Sequence, residues 1–91
     1  MYRIIDSRGS GKTSRLMLLA KETGAAIACS NPSAMRQKAH AYGIVGIDFI
    51  SYHDAATPGY NREVLIDETE MFMQYILGRQ KLIGYTLSNE D

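Results

Sequence analysis

The sequence predicts an α/β domain built on a mainly parallel sheet of about five strands. Three observations carry this reading. Short apolar runs alternate with amphipathic helical stretches, the connections between them are short, and the runs are continuously apolar, as strands covered on both faces must be. At 91 residues, 45% hydrophobic and 22% charged, the chain is expected to form one globular domain over residues 1–91.

Each element has a local reason. Tyr2–Ile5 is apolar and β-prone and reads as a first strand. Lys12–Thr23 reads as a helix, with Leu16, Leu19 and Ala20 on one face and Gly24 as its stop. Ala25–Cys29, "AAIAC", is a buried second strand. Ser30 or Asn31 caps a second helix that has Pro32 at its first position, and runs to about Tyr42 with Met35, Ala39 and Tyr42 as its apolar stripe. Val45–Ser51 is a third strand, and 52–62 is a loop with a Pro58–Gly59 turn signal. Glu63–Asp67 is a fourth strand. Thr69–Leu77 is a third helix with Phe72, Tyr75 and Ile76 toward the core, and Lys81–Ser88 is a fifth strand.

Composition narrows the function classes. Formal net charge is zero, which gives no bulk attraction to nucleic acid or to a membrane surface. The distribution is uneven: residues 1–45 carry seven Lys/Arg and two acids, residues 46–91 three Lys/Arg and eight acids. A phosphate-facing pole and an acidic pole would produce that split. The single cysteine, Cys29, excludes an internal disulfide and a cysteine-based zinc site, and fits a reducing, cytoplasmic setting. The opening "MYRIIDSRG" is too soon charged for a signal peptide, and no apolar run approaches the roughly 20 residues of a membrane span.

The chemistry concentrates in "IIDSRGSGKT", Ile4–Thr13. Gly9 and Gly11 permit positive φ and leave no Cβ near a ligand. The amides from Gly9 to Ser14 can then turn inward as an anion-binding nest, reinforced by the positive end of the following helix. Lys12 supplies a mobile full charge for the β- and γ-phosphates, and the Thr13 hydroxyl suits magnesium, which prefers hard oxygens. A strand directly before and a helix directly after are what such a loop requires, and both are predicted here.

"VLIDE" supplies a second half. Its apolar residues deliver Asp67 to the carboxyl end of a strand, where ligands sit in open α/β sheets. Asp67 can hold magnesium opposite the phosphate loop, and Glu68 can orient and deprotonate an attacking water.

Together "GSGKT" and "VLIDET" resemble the Walker A and Walker B motifs of the P-loop NTPase superfamily. The Asp–Glu pair is similar to the additional-strand, catalytic-glutamate class that includes helicases and recombinases. The resemblance implies a three-layer P-loop NTPase-like sandwich in which the last strand lies between the phosphate-loop strand and the "VLIDE" strand. It implies Mg2+ and ATP, or another NTP, as ligands, with Arg8, Gly9, Ser10, Gly11, Lys12, Thr13 and Ser14 binding nucleotide. Thr13 and Asp67 would hold the metal, and Glu68 and Lys12 would be catalytic. In that class the strand after the acid pair ends in a polar sensor of the γ-phosphate, a role that falls here to Thr86 or Ser88. Hydrolysis is expected to be slow or partner-stimulated, with Arg62 or Arg79 of a neighbouring subunit as a candidate arginine finger.

The sequence departs from that pattern at Asp6, which stands where such loops open with glycine. A carboxylate beside phosphates is unfavourable, so nucleotide binding is expected to be weakened rather than abolished. Two other readings stay open. One is a non-catalytic interaction module, such as a phage or mobile-element accessory protein that binds a host component through the acidic C-terminal half. The other is a small kinase similar to thymidine kinases, for which only the 52–62 loop offers an acceptor pocket and whose usual zinc-held lobe lacks its cysteines here. Arg36 and Lys38 are too few to argue for nucleic acid. His40 reads as a surface residue and His53, beside Asp54, as a loop residue.

Overall fold

Ala26–Cys29 forms the central strand, β1, and every residue of it is buried. The computed structural model describes residues 1–5 and 11–88. Around β1, the described elements run in the order α1 (Lys12–Thr23), β1, α2 (Pro32–Ala41), β2 (Phe49–Ser51), α3 (Tyr52–Ala56), β3 (Val64–Ile66) and α4 (Thr69–Leu77). The sheet order is β2-β1-β3 and both pairings are parallel. Ile27 sits between Phe49 and Leu65, and Ala28 between Ile50 and Ile66.

Strand alternation divides the core. Ile27 and Cys29 face α1 and α2, where they pack with Leu16, Met17, Ala20, Met35, Ala39 and Phe49. Ala26 and Ala28 belong to the opposite face, beside the half-buried Ile50, Val64 and Ile66. The centre of mass of the core therefore lies between β1 and the first two helices. The caps follow the sequence closely. Asn31 accepts a hydrogen bond from the Ala34 amide at 3.1 Å, with Pro32 opening α2. Gly24 ends α1 at φ 78°, its amide donating to Ala20 at 2.8 Å.

The five-strand P-loop NTPase-like sandwich does not form: the described residues contain three strands, all parallel. The predicted first and last strands, Tyr2–Ile5 and Lys81–Ser88, join no ladder. The physical reason is visible in where their polar groups go. Two backbone groups at the start of the C-terminal segment are taken by one side chain of α4: the Gln74 amide nitrogen donates to the Gln80 carbonyl at 2.7 Å, and its oxygen accepts from the Leu82 amide at 2.8 Å. Those groups, two residues apart, are the ones an adjacent strand would have used. At the N-terminus Ile4 packs on the core cluster, and Arg3 donates from its guanidinium to the Ser88 carbonyl at 2.7 Å. The N-terminal and C-terminal segments of the described residues thus meet through a side chain, that of Arg3, rather than a ladder. The expected last strand between the phosphate-loop strand and β3 is absent from the sheet accordingly.

Three smaller corrections concern length and facing. The third predicted strand is only Phe49–Ser51, because Gly46 at φ 83° bends the backbone before it. The first turn of the 52–62 loop is a short helix, α3, whose Ser51 cap accepts from the Asp54 amide at 3.0 Å. α4 lies where the apolar pattern put it but has no buried residue: Tyr75 and Ile76 are exposed and Phe72 is half-buried. No helix among the described residues is long and apolar enough to cross a membrane.

Candidate functional site

Parallel strands deliver their carboxyl ends to one edge of the sheet. That edge gathers Cys29 from β1, Ser51 from β2 with Tyr52 directly after it at the start of α3, and Asp67 and Glu68 directly after β3. The Asp67 amide donates to Ala28 at 2.9 Å, which carries the β3 ladder one residue beyond the strand and holds Asp67 at the sheet margin.

The N-terminus of α1 opens at Gly11, in the left-handed conformation at φ 84°, as the phosphate-loop reading requires of that glycine. The Gly11 carbonyl accepts the Arg15 amide at 3.1 Å and the Ser14 hydroxyl at 3.0 Å, so the first turn is closed by its own residues. That turn carries no acid, which leaves the positive end of the helix uncancelled from within. Lys12, Thr13 and Ser14 are half-buried in this turn. Arg8, Gly9 and Ser10, along with Asp6, lie outside the described residues.

Charge ties the two halves of the site together. Burial pushes the half-buried Asp67 carboxyl above the usual carboxylate range, and the neighbouring Glu68 pushes in the same direction, while the ammonium groups of Lys38 and Lys12 draw it back. Lys12 on α1 and Asp67 at the end of β3 therefore share one electrostatic neighbourhood. Lys38 also belongs to it, a residue that the sequence raised, with Arg36, only as too weak a case for nucleic acid.

The Asp67–Glu68 turn is strained. Glu68 has φ 60° and is the one described non-glycine residue with positive φ. A side chain in that region costs about 1–3 kcal/mol. The turn is held by the Tyr52 hydroxyl, which lies 2.6 Å from the Asp67 carbonyl oxygen and 3.4 Å from that of Glu68, and by the Phe72 amide, which donates to Glu68 at 3.1 Å. Tyr52 is buried, and its ring packs edge-on against Phe72 at a centroid distance of 5.3 Å. Burial is the main cause that pushes its phenol up to about 12, with Asp67 second. By sequence alone Tyr52 falls in the 52–62 loop. The signal that could have found it is "SYHD", a serine three residues before an acid at the end of an apolar run.

Other candidates sit elsewhere. Arg62 pairs with Asp48 at 2.5 Å and donates to the Gly24 carbonyl at 3.2 Å, on the residues that precede β2 and β1. It therefore occupies the amino-terminal edge of the sheet, opposite the acid pair. Thr86 and Ser88 are exposed on the C-terminal segment, outside the sheet. His53 pairs with the Tyr75 hydroxyl at 3.0 Å across α3 and α4. His40 lines a shallow groove of about 200 Å³ with Arg36, Val45 and Phe49, away from the acid pair.

Among the described residues no group of three or more His, Cys, Asp or Glu side chains is placed to hold a metal ion by itself. By chemistry alone, the Thr13 hydroxyl and the Asp67 carboxyl are the kind of hard oxygens that magnesium takes when phosphate and water complete its shell. Compared with known proteins, the chain matches no family model, no curated protein and no solved structure.

Proposed function

We infer that the chain binds a magnesium-complexed nucleoside triphosphate, ATP before others, at the carboxyl edge of its sheet. What supports this reading is the field between Lys12 and Asp67: the ammonium beside a helix N-terminus opened by a left-handed glycine draws down the carboxyl of a half-buried acid at a strand end. Lys12 and the amides of the first turn would take the β- and γ-phosphates. Thr13 and Asp67 would hold the ion, which neutralises phosphate charge when bound. Glu68 would orient the attacking water and take its proton in a slow or partner-stimulated hydrolysis. The Walker-like "GSGKT" and "VLIDE" support this assignment as motifs; the three-stranded sheet restricts the resemblance to these motifs. A reducing, cytoplasmic setting suits both the ligand and the single buried thiol.

The test is unfolding with and without Mg-ATP, paired with Lys12→Ala and Glu68→Gln. Lys12→Ala is expected to abolish the ligand-induced stabilisation, and Glu68→Gln to keep it while losing phosphate release.

A second reading has its own observation. α4 buries none of its residues: Met71, Ile76 and Leu77 are exposed, and Met73, Ile76 and Leu77 line an apolar hollow with Leu82 of the C-terminal segment. An apolar surface of this kind favours a protein partner. An interaction module would show a partner-dependent change at α4 and no response to Mg-ATP, Mg-GTP or Mg-ADP.

A further inference from the structure

The strained turn at Glu68 is held from the far side of the sheet. β2 ends at Ser51, and α3 begins at once with Tyr52, so no loop separates the strand from the tyrosine. In the order β2-β1-β3 the ring must pass the end of β1 to reach β3. There its hydroxyl meets two successive carbonyls, Asp67 at 2.6 Å and Glu68 at 3.4 Å. These flank the residue at φ 60°. A glutamate leaves that conformation readily unless its surroundings hold it. On the side of α4 the restraint is the Phe72 amide on the Glu68 carbonyl at 3.1 Å. On the side of the sheet it is the Tyr52 hydroxyl. Removing that hydroxyl leaves the ring packing intact, because Phe72 and Tyr75 touch the ring face and edge, at centroid distances of 5.3 and 6.1 Å.

We propose that Tyr52 is the positioning residue of the acid pair, its hydroxyl pinning the strained Asp67–Glu68 turn so that both carboxylates stay at the carboxyl edge of the sheet. The functional consequence rests on the nucleotide reading above; the pinning itself does not.

The experiment therefore has a ligand-free arm and a ligand arm. In the ligand-free arm, amide hydrogen exchange is followed in the full chain for wild type, Tyr52→Phe and Tyr52→Phe/Glu68→Asn. Asparagine tolerates the left-handed region better than glutamate. Tyr52→Phe is expected to speed exchange of the Phe72 amide on the order of ten-fold or more, with the Ile27 amide, bonded to Asp48 at 2.9 Å, unchanged as the reference for an intact sheet. Glu68→Asn in the same chain is expected to bring the Phe72 rate back toward wild type. Unchanged Phe72 exchange in Tyr52→Phe, or a parallel rise at Ile27, overturns the proposal. Should Tyr52→Phe not fold, the Glu68→Asn single variant decides: slower Phe72 exchange than wild type confirms that the turn is held against strain, and an equal rate overturns it. In the ligand arm, Tyr52→Phe is expected to keep Mg-ATP affinity within about three-fold and to lower phosphate release on the order of ten-fold, with no further loss in a Glu68→Gln background. Equal additional loss in that background overturns positioning through Glu68. Wild type that binds no Mg-ATP defeats the nucleotide reading alone, and the exchange arm then decides on Tyr52.

Discussion

The amide of Asp67 donates to the carbonyl oxygen of Ala28 at 2.9 Å, one residue past the end of β3. The central strand thereby fixes the acid at the sheet edge and takes much of its carboxyl out of water. The pKa of Asp67 is raised, mainly by burial and next by Glu68. The folded state then holds the proton more tightly than the unfolded chain. Its contribution to stability is complete below the ordinary carboxylate range, about pH 4, and is lost as pH rises through the raised value. Asp67→Asn is expected to unfold later than wild type at pH 7 and to match it at low pH. Urea unfolding of both proteins across pH checks this. The same substitution is expected to abolish magnesium-dependent nucleotide binding, so stability and function move in opposite directions.

Gly11 carries a backbone prediction. Its φ of 84° disfavours any side chain, whereas the nearest atom to an added Cβ would be the Ser14 hydroxyl at an ordinary 3.5 Å. The cost of Gly11→Ala is therefore conformational rather than steric, about 1–2 kcal/mol. Denaturant midpoints measure it, and a smaller loss in Gly11→Asn than in Gly11→Ala marks the left-handed conformation as the cause.

Cys29 tests the core. The thiol is 1% exposed, and burial first, then Asp67, pushes its pKa up. Thiolate is the reactive form, so both burial and protonation protect it. Alkylation by iodoacetamide at pH 7.5 is expected to be on the order of 100-fold slower in native protein than in urea. Native labelling at the unfolded rate would contradict the buried position of β1.

The uneven core gives a contrast between two apolar side chains. Met17 on α1 is 0% exposed and packs in the central cluster, whereas Ile76 on α4 is 55% exposed. Met17→Ala is expected to cost about 2–5 kcal/mol. Ile76→Ala is expected to change stability by about 0.5 kcal/mol or less. Equal losses would mean that α4 is covered in solution, which is the outcome the interaction-module reading predicts for a partnered chain.

The elements that were legible in the sequence are those whose signals are local. Lys12–Thr23 between Gly11 and Gly24, the Asn31–Pro32 start of α2, and the run Ala25–Cys29 all follow from caps and apolar runs. The arrival of Asp67 at a strand end was legible for the same reason. Tyr2–Ile5 and Lys81–Ser88 were not, because a strand exists only through a neighbour. Gln74, whose amide meets Gln80 and Leu82, offers those backbone groups a different partner. The strain at Glu68 and the reach of Tyr52 across β1 were also hidden. They depend on the strand order β2-β1-β3, which no residue pattern states.

The most direct test of the account is the unfolding free energy of the chain with and without Mg-ATP, compared between wild type and Lys12→Ala. With ligand at one hundred times its dissociation constant, the account predicts a stabilisation of about 2.7 kcal/mol in wild type and none in Lys12→Ala. No stabilisation of wild type by Mg-ATP, Mg-GTP or Mg-ADP, or an equal one in both proteins, would contradict a nucleotide site formed by Lys12 and Asp67.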